Sequence, residues 1–166
     1  MEFQPPRGSL LGNILLTPQE IDDLLTGTPY GTLSFFNTNG YPGCTPLNFG
    51  WEDGCFYFHS AQQGERFEAL AQNPRISICV YEAAEDLEPT IVAHRSVIAY
   101  GEAELLQGDE AAHSLRAMAR NGRIPHKAEP GYIAPRMPVT AVYRMRPQQL
   151  TGRVVQFGGK ASAGGK

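Results

Sequence analysis

The sequence predicts a mainly β protein, an antiparallel β-barrel with peripheral α-helices. Most apolar segments are short and alternate at period two, as strands do. Turn residues separate these segments by only a few positions, which is typical of hairpins. The helical segments do not alternate regularly with the strands, which disfavours a doubly wound parallel sheet. The 166 residues suffice for one domain with its own core.

The chain begins with a predicted helix. Thr17 is a candidate N-cap, Pro18 suits the first helical position, and Glu20 completes a capping box. Ile21, Leu24 and Leu25 form an apolar stripe at helical spacing, and Gly27 can end the helix.

Three antiparallel strands are predicted next, over 30–36, 41–49 and 55–60, with turn clusters between them. Prolines at positions 42 and 46 of the second strand indicate an edge strand or a bulge, since proline cannot donate to a ladder.

The same signals predict the rest of the domain: a helix over 65–72, a strand over 75–81, a long strand over 92–106, a helix over 109–120 and a last strand over 139–145, which 150–157 extends. In the long strand the apolar side chains alternate from Val97 to Leu105. The helix uses Asp109 as its cap and turns Ala112, Leu115 and Met118 inward. Segments 82–89 and 123–138 are predicted loops. Residues 1–157 form the predicted domain, and 158–166 form a flexible tail.

Charge is divided unevenly along the chain. Residues 1–110 carry 4 basic and 16 acidic side chains, and residues 111–166 carry 10 basic and 1 acidic, although the whole chain has a net charge of −3. A balance so close to neutral argues against a generally basic nucleic-acid binder. We expect the two halves to attract each other, within one fold or across a dimer.

Membrane, secretory and metal-binding classes are also disfavoured. The apolar runs are too short to span a bilayer, and no basic segment followed by an apolar one begins the sequence. Cys44, Cys55 and Cys79 form no CxxC pair, which suits inert core cysteines and a cytoplasmic protein. The histidines share no metal-ligand spacing, so no metal site is predicted.

A candidate anion site lies where the third strand meets the second helix. His59 and Ser60 end the strand, Gly64 precedes the helix, and Arg66 lies in its first turn. Free backbone N–H groups at a helix N-terminus attract anions, and a cation there is unfavourable unless an anion is bound nearby. The alternative is that Ser60 only turns the chain while His59 and Arg66 are ordinary strand and helix residues.

Several stretches in register resemble a known family: Thr-Pro-Leu-Asn over 45–48, Tyr-Phe-His-Ser-Ala over 57–61, Gly-Glu-Arg-Phe-Glu-Ala-Leu over 64–70, Asn-Pro-Arg-Ile-Ser over 73–77, and Arg-Ser-Val-Ile-Ala-Tyr-Gly over 95–101. They resemble the pyridoxamine 5′-phosphate oxidase-like flavoproteins, and within these the branch that includes the nitroimidazole-resistance proteins. The resemblance extends over residues 15–155. It implies a split β-barrel that binds FMN and forms a homodimer with flavin sites at the subunit interface.

The resemblance also implies the site residues. The implied cofactor-binding set is Thr45, Pro46, Leu47, Asn48, His59, Ser60, Ala61, Gly64, Arg66, Ser96 and Val97. The 45–48 segment would line the isoalloxazine ring through backbone groups, and His59, Ser60 and Arg66 would face the phosphate or ribityl chain. Ser96 and Val97 would border the site, with the partner subunit as a source. No catalytic residue is assigned.

Two departures from the family bear on function. Relatives often carry Lys where this chain has Arg66, and Arg keeps the charge. The substrate motif of authentic pyridoxamine phosphate oxidases contains a C-terminal His, whereas no His follows His126 here, which argues against vitamin B6 oxidation.

The expected function is therefore an FMN-dependent oxidoreductase that takes electrons from NADH or NADPH and reduces a small molecule such as a nitro compound or quinone. The alternatives are a flavin- or haem-binding or storage protein without turnover and, supported by no motif, a nucleic-acid binder. We predict no nucleic-acid and no membrane partner.

Overall fold

The computed structural model describes residues 14–83, 92–122 and 125–157. Its strands are β1 (Ile14–Leu15), β2 (Tyr30–Phe36), β3 (Pro42–Asn48), β4 (Gly50–Glu52), β5 (Cys55–Ala61), β6 (Arg75–Ala83), β7 (Val92–Glu102), β8 (Glu104–Leu106), β9 (Thr140–Met145) and β10 (Gln149–Phe157). Its α-helices are α1 (Pro18–Gly27), α2 (Glu65–Gln72), α3 (Gly108–Asn121) and α4 (Pro130–Ile133). Two 3-10 helices, Pro125–Ala128 and Ala134–Val139, flank α4.

The strands form two antiparallel sheets. The six-stranded sheet has the order β1-β10-β7-β6-β2-β3, and the four-stranded sheet has the order β4-β5-β9-β8. With peripheral helices around them, the two sheets confirm the predicted mainly β, split-barrel class. The order also places β3, with its two prolines, at an edge of the larger sheet.

The chain passes from one sheet to the other at two corners of similar construction. At Phe49, β3 gives way to β4, and at Ala103, β7 gives way to β8. The Phe49 amide donates to the carbonyl of Pro29 at 3.3 Å, and the Ala103 amide donates to that of Pro74 at 2.7 Å. Each proline comes directly before the strand that pairs with the bent one.

Helix α3 covers the outer face of the four-stranded sheet. As a result β5 is buried on both faces: Cys55, Phe56, Tyr57 and Phe58 are all buried in succession, where a half-exposed strand would alternate. The Tyr57 ring meets the imidazole of His113 on α3 edge-on, at 6.5 Å between centroids. The first half of β5 is thereby held between the barrel interior and α3.

Both early helices agree with the sequence. Helix α1 has the predicted capping box, in which the Thr17 side chain accepts from the Glu20 amide and the Glu20 carboxylate accepts from the Thr17 amide. Helix α2 spans the predicted residues 65–72.

Two strand predictions are wrong because the chain changes sheets. The predicted 92–106 strand divides at Ala103, after which the alternation shifts by one, so that Leu105 is 47% exposed and Leu106 is buried. The 150–157 segment does not extend β9. It belongs to β10, which pairs with β7 in the other sheet.

Other local predictions need smaller corrections. Helix α3 begins at Gly108 after Gln107, so Asp109 lies in its first turn and is not its cap. Its buried side chains include Ala111, Ser114, Ala117 and Met118, whereas Ala112 and Leu115 are only half-buried. The predicted 123–138 loop forms short helical turns in its described part, because prolines suit first helical turns. Of the predicted core cysteines, Cys44 is exposed. Residues 84–89 of the other predicted loop and the 158–166 tail lie outside the described residues.

Ion pairs connect the acidic and basic parts of the chain. Arg144 pairs with Glu104 at 2.9 Å and lies 3.7 Å from Glu110, and Arg120 pairs with Glu52 at 2.7 Å. These contacts agree with the predicted attraction between the two halves inside one fold. Within the described ranges, no helix has the length and hydrophobicity to cross a membrane, and no three His, Cys, Asp or Glu residues are grouped as a metal site.

Candidate functional site

A cleft of about 570 Å³ opens between β3, the end of β5 and the start of α2, and we call it the β3–α2 cleft. Five of the eleven implied cofactor-binding residues line it: Thr45, Ser60, Ala61, Gly64 and Arg66. The fold therefore brings the predicted anion site together with part of the edge strand. Its volume lies within the roughly 300–1,000 Å³ that small-molecule sites occupy.

The N-terminus of α2 faces this cleft without a side-chain cap. Gly64, the N-cap residue, has φ +93°, a conformation that L side chains rarely adopt. Because glycine has no side-chain oxygen, it leaves the first amides of α2 available to an external acceptor. The side of Gly64 that a side chain would occupy is open space, since an added Cβ would meet nothing within 4 Å.

Arg66 places a half-buried cation beside that helix end. Its guanidinium donates to the main-chain carbonyl of His59 at 3.3 Å. In the described part of the chain it forms no ion pair. Partial burial lowers the pKa of Arg66, which means that the protein provides less compensation than the charge loses in hydration. An anion in the cleft would supply that compensation.

Ser60 and Tyr143 form the inner wall behind Arg66. The buried Ser60 hydroxyl donates to the carbonyl of Ala61 at 2.8 Å and lies close enough to the Tyr143 side chain to affect its pKa. Burial raises the pKa of Tyr143, against the opposing effects of Ser60 and the Arg66 charge. Tyr143 stacks on Phe58 with 5.2 Å between ring centroids, so its position is determined by the core.

Glu65 would repel an anion at this helix end, but two amides hold its carboxylate. Asn37 and Asn39, in the β2–β3 turn, donate to Glu65 Oε1 at 2.6 and 3.2 Å. The turn thus binds the carboxylate and reduces its effect on the cleft. Sequence reasoning missed this contact, as it missed Tyr143, because both depend on residues distant along the chain.

His59 and Asn48 line a different cavity, of about 250 Å³, between β5, α3 and the helical turns around α4. We call it the β5–α3 cavity. Neighbouring side chains of a strand point to opposite faces, so His59 and Ser60 face different cavities. The reduced hydration of the cavity wall, followed by the charges of Arg66 and Lys127, lowers the pKa of His59.

This lowered pKa predicts a specific acid sensitivity. In the unfolded chain His59 takes up a proton near its ordinary pKa of about 6.5, whereas the folded protein binds that proton only at lower pH. Stability should therefore fall as the pH drops through that value. We expect His59→Gln to lose less unfolding free energy than the wild type between about pH 7.5 and about pH 5.5, in urea titrations. Equal losses in the two proteins would contradict this expectation.

The remaining implied residues do not meet in one chain. Leu47 and Val97 are buried in the core, so their side chains contact no open site. Pro46 is exposed on β3, and register places it on the same sheet face as Ser96. These two residues lie three strand spacings apart, about 14 Å. Ser96 therefore lies well away from the β3–α2 cleft of its own chain.

Comparison with known proteins identifies a matching family and similar folds. A family model described as pyridoxamine 5′-phosphate oxidase matches residues 17–154. No curated protein matches the sequence.

Three solved structures illustrate the similarity of the fold. A candidate 5-nitroimidazole antibiotic resistance protein from Bacteroides thetaiotaomicron has a TM-score of 0.75 at 20% identity, covering 95% of this chain and 98% of its own. An FAD-binding protein from Mesorhizobium loti has a TM-score of 0.64 at 24% identity, covering 86% and 98%. The flavocytochrome Anf3 from Azotobacter vinelandii has a TM-score of 0.67 at 26% identity, covering 83% and 67%.

Proposed function

Because the chain belongs to the pyridoxamine 5′-phosphate oxidase family, we propose that it is a flavoprotein that binds FMN in the β3–α2 cleft. The observation that carries this proposal is the half-buried Arg66, which has no ion-pair partner in the described structure and lies beside an uncapped helix N-terminus. The family match and the flavin-binding structural neighbours support it.

The residues present fit an FMN phosphate. The first amides of α2 and the Arg66 guanidinium would hold its oxygens, since a helix N-terminus and a bidentate cation both favour phosphate. The edge strand β3 offers backbone groups that no further strand among the described residues pairs, and these would meet the ring. Bound FMN would supply electron transfer from reduced nicotinamide to an acceptor such as a nitro compound or quinone.

The test is an absorbance spectrum of the purified protein, followed by titration with FMN, FAD and riboflavin. FMN should raise the midpoint of thermal unfolding and bind more tightly than riboflavin, which lacks the phosphate. Protein that is colourless and gains no thermal stability from FMN would overturn the proposal. Anaerobic bleaching of the flavin by NADH or NADPH would support an oxidoreductase. Bound flavin or haem that no reductant turns over would support a binding or storage protein, the second candidate.

We further propose that two copies of the chain complete the site. The outward face of β6 and β7 carries exposed apolar side chains, Tyr81, Ile98 and Tyr100, on the same face as Ser96. A second copy packed there would cover the apolar face. It would also supply Ser96 to a cleft that Ser96 of the same chain does not reach.

Placing a charge on this face should separate the copies. We expect Ile98→Asp to convert a dimer to a monomer in sedimentation velocity, because burying an unpaired carboxylate in the interface costs free energy. FMN binding should weaken in the same variant. Leu105→Asp is the matched control, since Leu105 is exposed on β8 in the other sheet. A wild-type monomer, or a dimer that Ile98→Asp leaves intact, would contradict the pairing.

A further inference from the structure

Basic side chains are concentrated in the lining of the β5–α3 cavity. Its described lining includes His59, Lys127 and Arg136, and no described Asp or Glu lines it. Two other arginines near α3, Arg120 and Arg144, are each paired with a carboxylate.

The two cations of the cavity are not neutralised. Neither Lys127 nor Arg136 forms an ion pair with any residue that the structure describes. Arg136 is nevertheless oriented: its guanidinium lies 3.6 Å from the centroid of the Tyr132 ring and donates to the Tyr132 carbonyl at 2.7 Å. A cation held in place in this way loses little further freedom when it binds an anion.

The other walls of the cavity are apolar. Leu115 and Met118 of α3 form one side, and the buried Ile133 of α4 forms another. An apolar enclosure with a few convergent polar groups is the usual form of a small-molecule site. At about 250 Å³ the cavity lies just below the usual size range, which limits its ligand to a small molecule.

We propose that the β5–α3 cavity binds a small organic anion, with its apolar body against Leu115, Met118 and Ile133 and its charged group at Lys127 and Arg136. The ligand site itself is independent of the flavin, and its use as the substrate site rests on the proposed function. His59 lies in the same wall. Reduced hydration, followed by the charges of Arg66 and Lys127, lowers its pKa, so the imidazole is neutral at neutral pH and can donate one hydrogen bond and accept another.

The probes are benzoate, phenyl phosphate and the uncharged benzyl alcohol, titrated calorimetrically into FMN-loaded and flavin-free protein. We expect benzoate or phenyl phosphate to bind at least about tenfold more tightly than benzyl alcohol, because a hydrogen bond between charged groups contributes more binding free energy than one between neutral groups. The tighter of the two anions identifies the carboxylate or the phosphate as the preferred group. Inorganic phosphate binding as tightly as phenyl phosphate would overturn the role of the apolar body.

Charge-removing variants locate the site. Lys127→Gln and Arg136→Gln should each weaken binding of the preferred anion by about tenfold. Arg116→Gln removes the same charge from α3 at a residue that does not line the cavity, and should leave the affinity unchanged. The proposal would be overturned if all three variants bound the preferred anion with equal affinity, or if the wild type bound benzoate and benzyl alcohol equally. FMN titration of the same variants separates the two sites. If the protein binds the anion with this pattern but never binds FMN, the anion site in the cavity is supported and the proposed flavin function is rejected.

Discussion

Replacing Arg66 with alanine is expected to weaken FMN binding by about tenfold to a hundredfold, which corresponds to the loss of one charged hydrogen-bonded contact. The expectation follows from the half-buried guanidinium at the N-terminus of α2 and its lack of an ion pair in the described structure. Fluorescence quenching of the flavin during titration would measure the affinity.

Riboflavin provides the control for this substitution. Because it has no phosphate, its affinity should be the same for the wild type and for Arg66→Ala. Arg66→Lys should restore part of the FMN affinity, since Lys keeps the charge but not the planar fork. Equal weakening of FMN and riboflavin would instead indicate that Arg66 supports the fold of the cleft, and unchanged FMN affinity would remove the phosphate assignment.

Gly50→Ala is expected to lower the free energy of unfolding by about 1–3 kcal/mol, because the added methyl group overpacks a contact between backbones. An alanine Cβ at this position would lie 2.8 Å from the amide nitrogen of Met118 and 2.9 Å from the carbonyl carbon of Ala117, both on α3. The backbone of a helix cannot move aside as the end of a flexible side chain can. Urea unfolding followed by circular dichroism would measure the change.

Gly27→Ala is the matched control. Gly27 is the last residue of α1, and a Cβ there would meet nothing within 4 Å. Alanine should therefore leave the protein as stable as the wild type or stabilise it by up to about 1 kcal/mol, because it restricts the unfolded chain. Similar losses from both substitutions would show that the contact between Gly50 and α3 is not the cause.

Elements specified by local chemistry could be predicted from the sequence. The capping box at Thr17 and Glu20 satisfies its donors within four residues, and α2 begins after a glycine and ends before Asn73-Pro74. The β2–β3 hairpin likewise depends on a short turn and alternating side chains. For such elements, neighbours along the chain are also neighbours in space.

Elements that depend on distant partners could not be predicted in the same way. The break at Ala103 arises from the transfer of the chain between sheets, and β10 returns to β7 by a pairing that alternation alone does not specify. The apolar neighbours of Cys44 predict a core position, yet it lies exposed on the edge strand β3. In each case the tertiary arrangement determines a strand pairing or a burial that the local sequence pattern does not specify.

The site was predictable to the extent that it is local. Residues 59–66 form a continuous strand–loop–helix segment, and the structure places Ser60, Ala61, Gly64 and Arg66 in one cleft. It directs the His59 side chain to another cavity, because that residue occupies the opposite parity of β5. That separation depends on what packs against each face of β5, which the sequence of the segment does not specify.

The corners at Phe49 and Ala103 also bear on how the protein unfolds. One continuous backbone passes through both sheets at each corner, and an amide hydrogen bond to a proline carbonyl fastens each bend. Opening one sheet would pull on the other at two points, so partial opening gains little chain entropy before the whole structure is lost. The two sheets should consequently behave as one cooperative unit, in which hydrogen exchange at the two corner amides requires global unfolding.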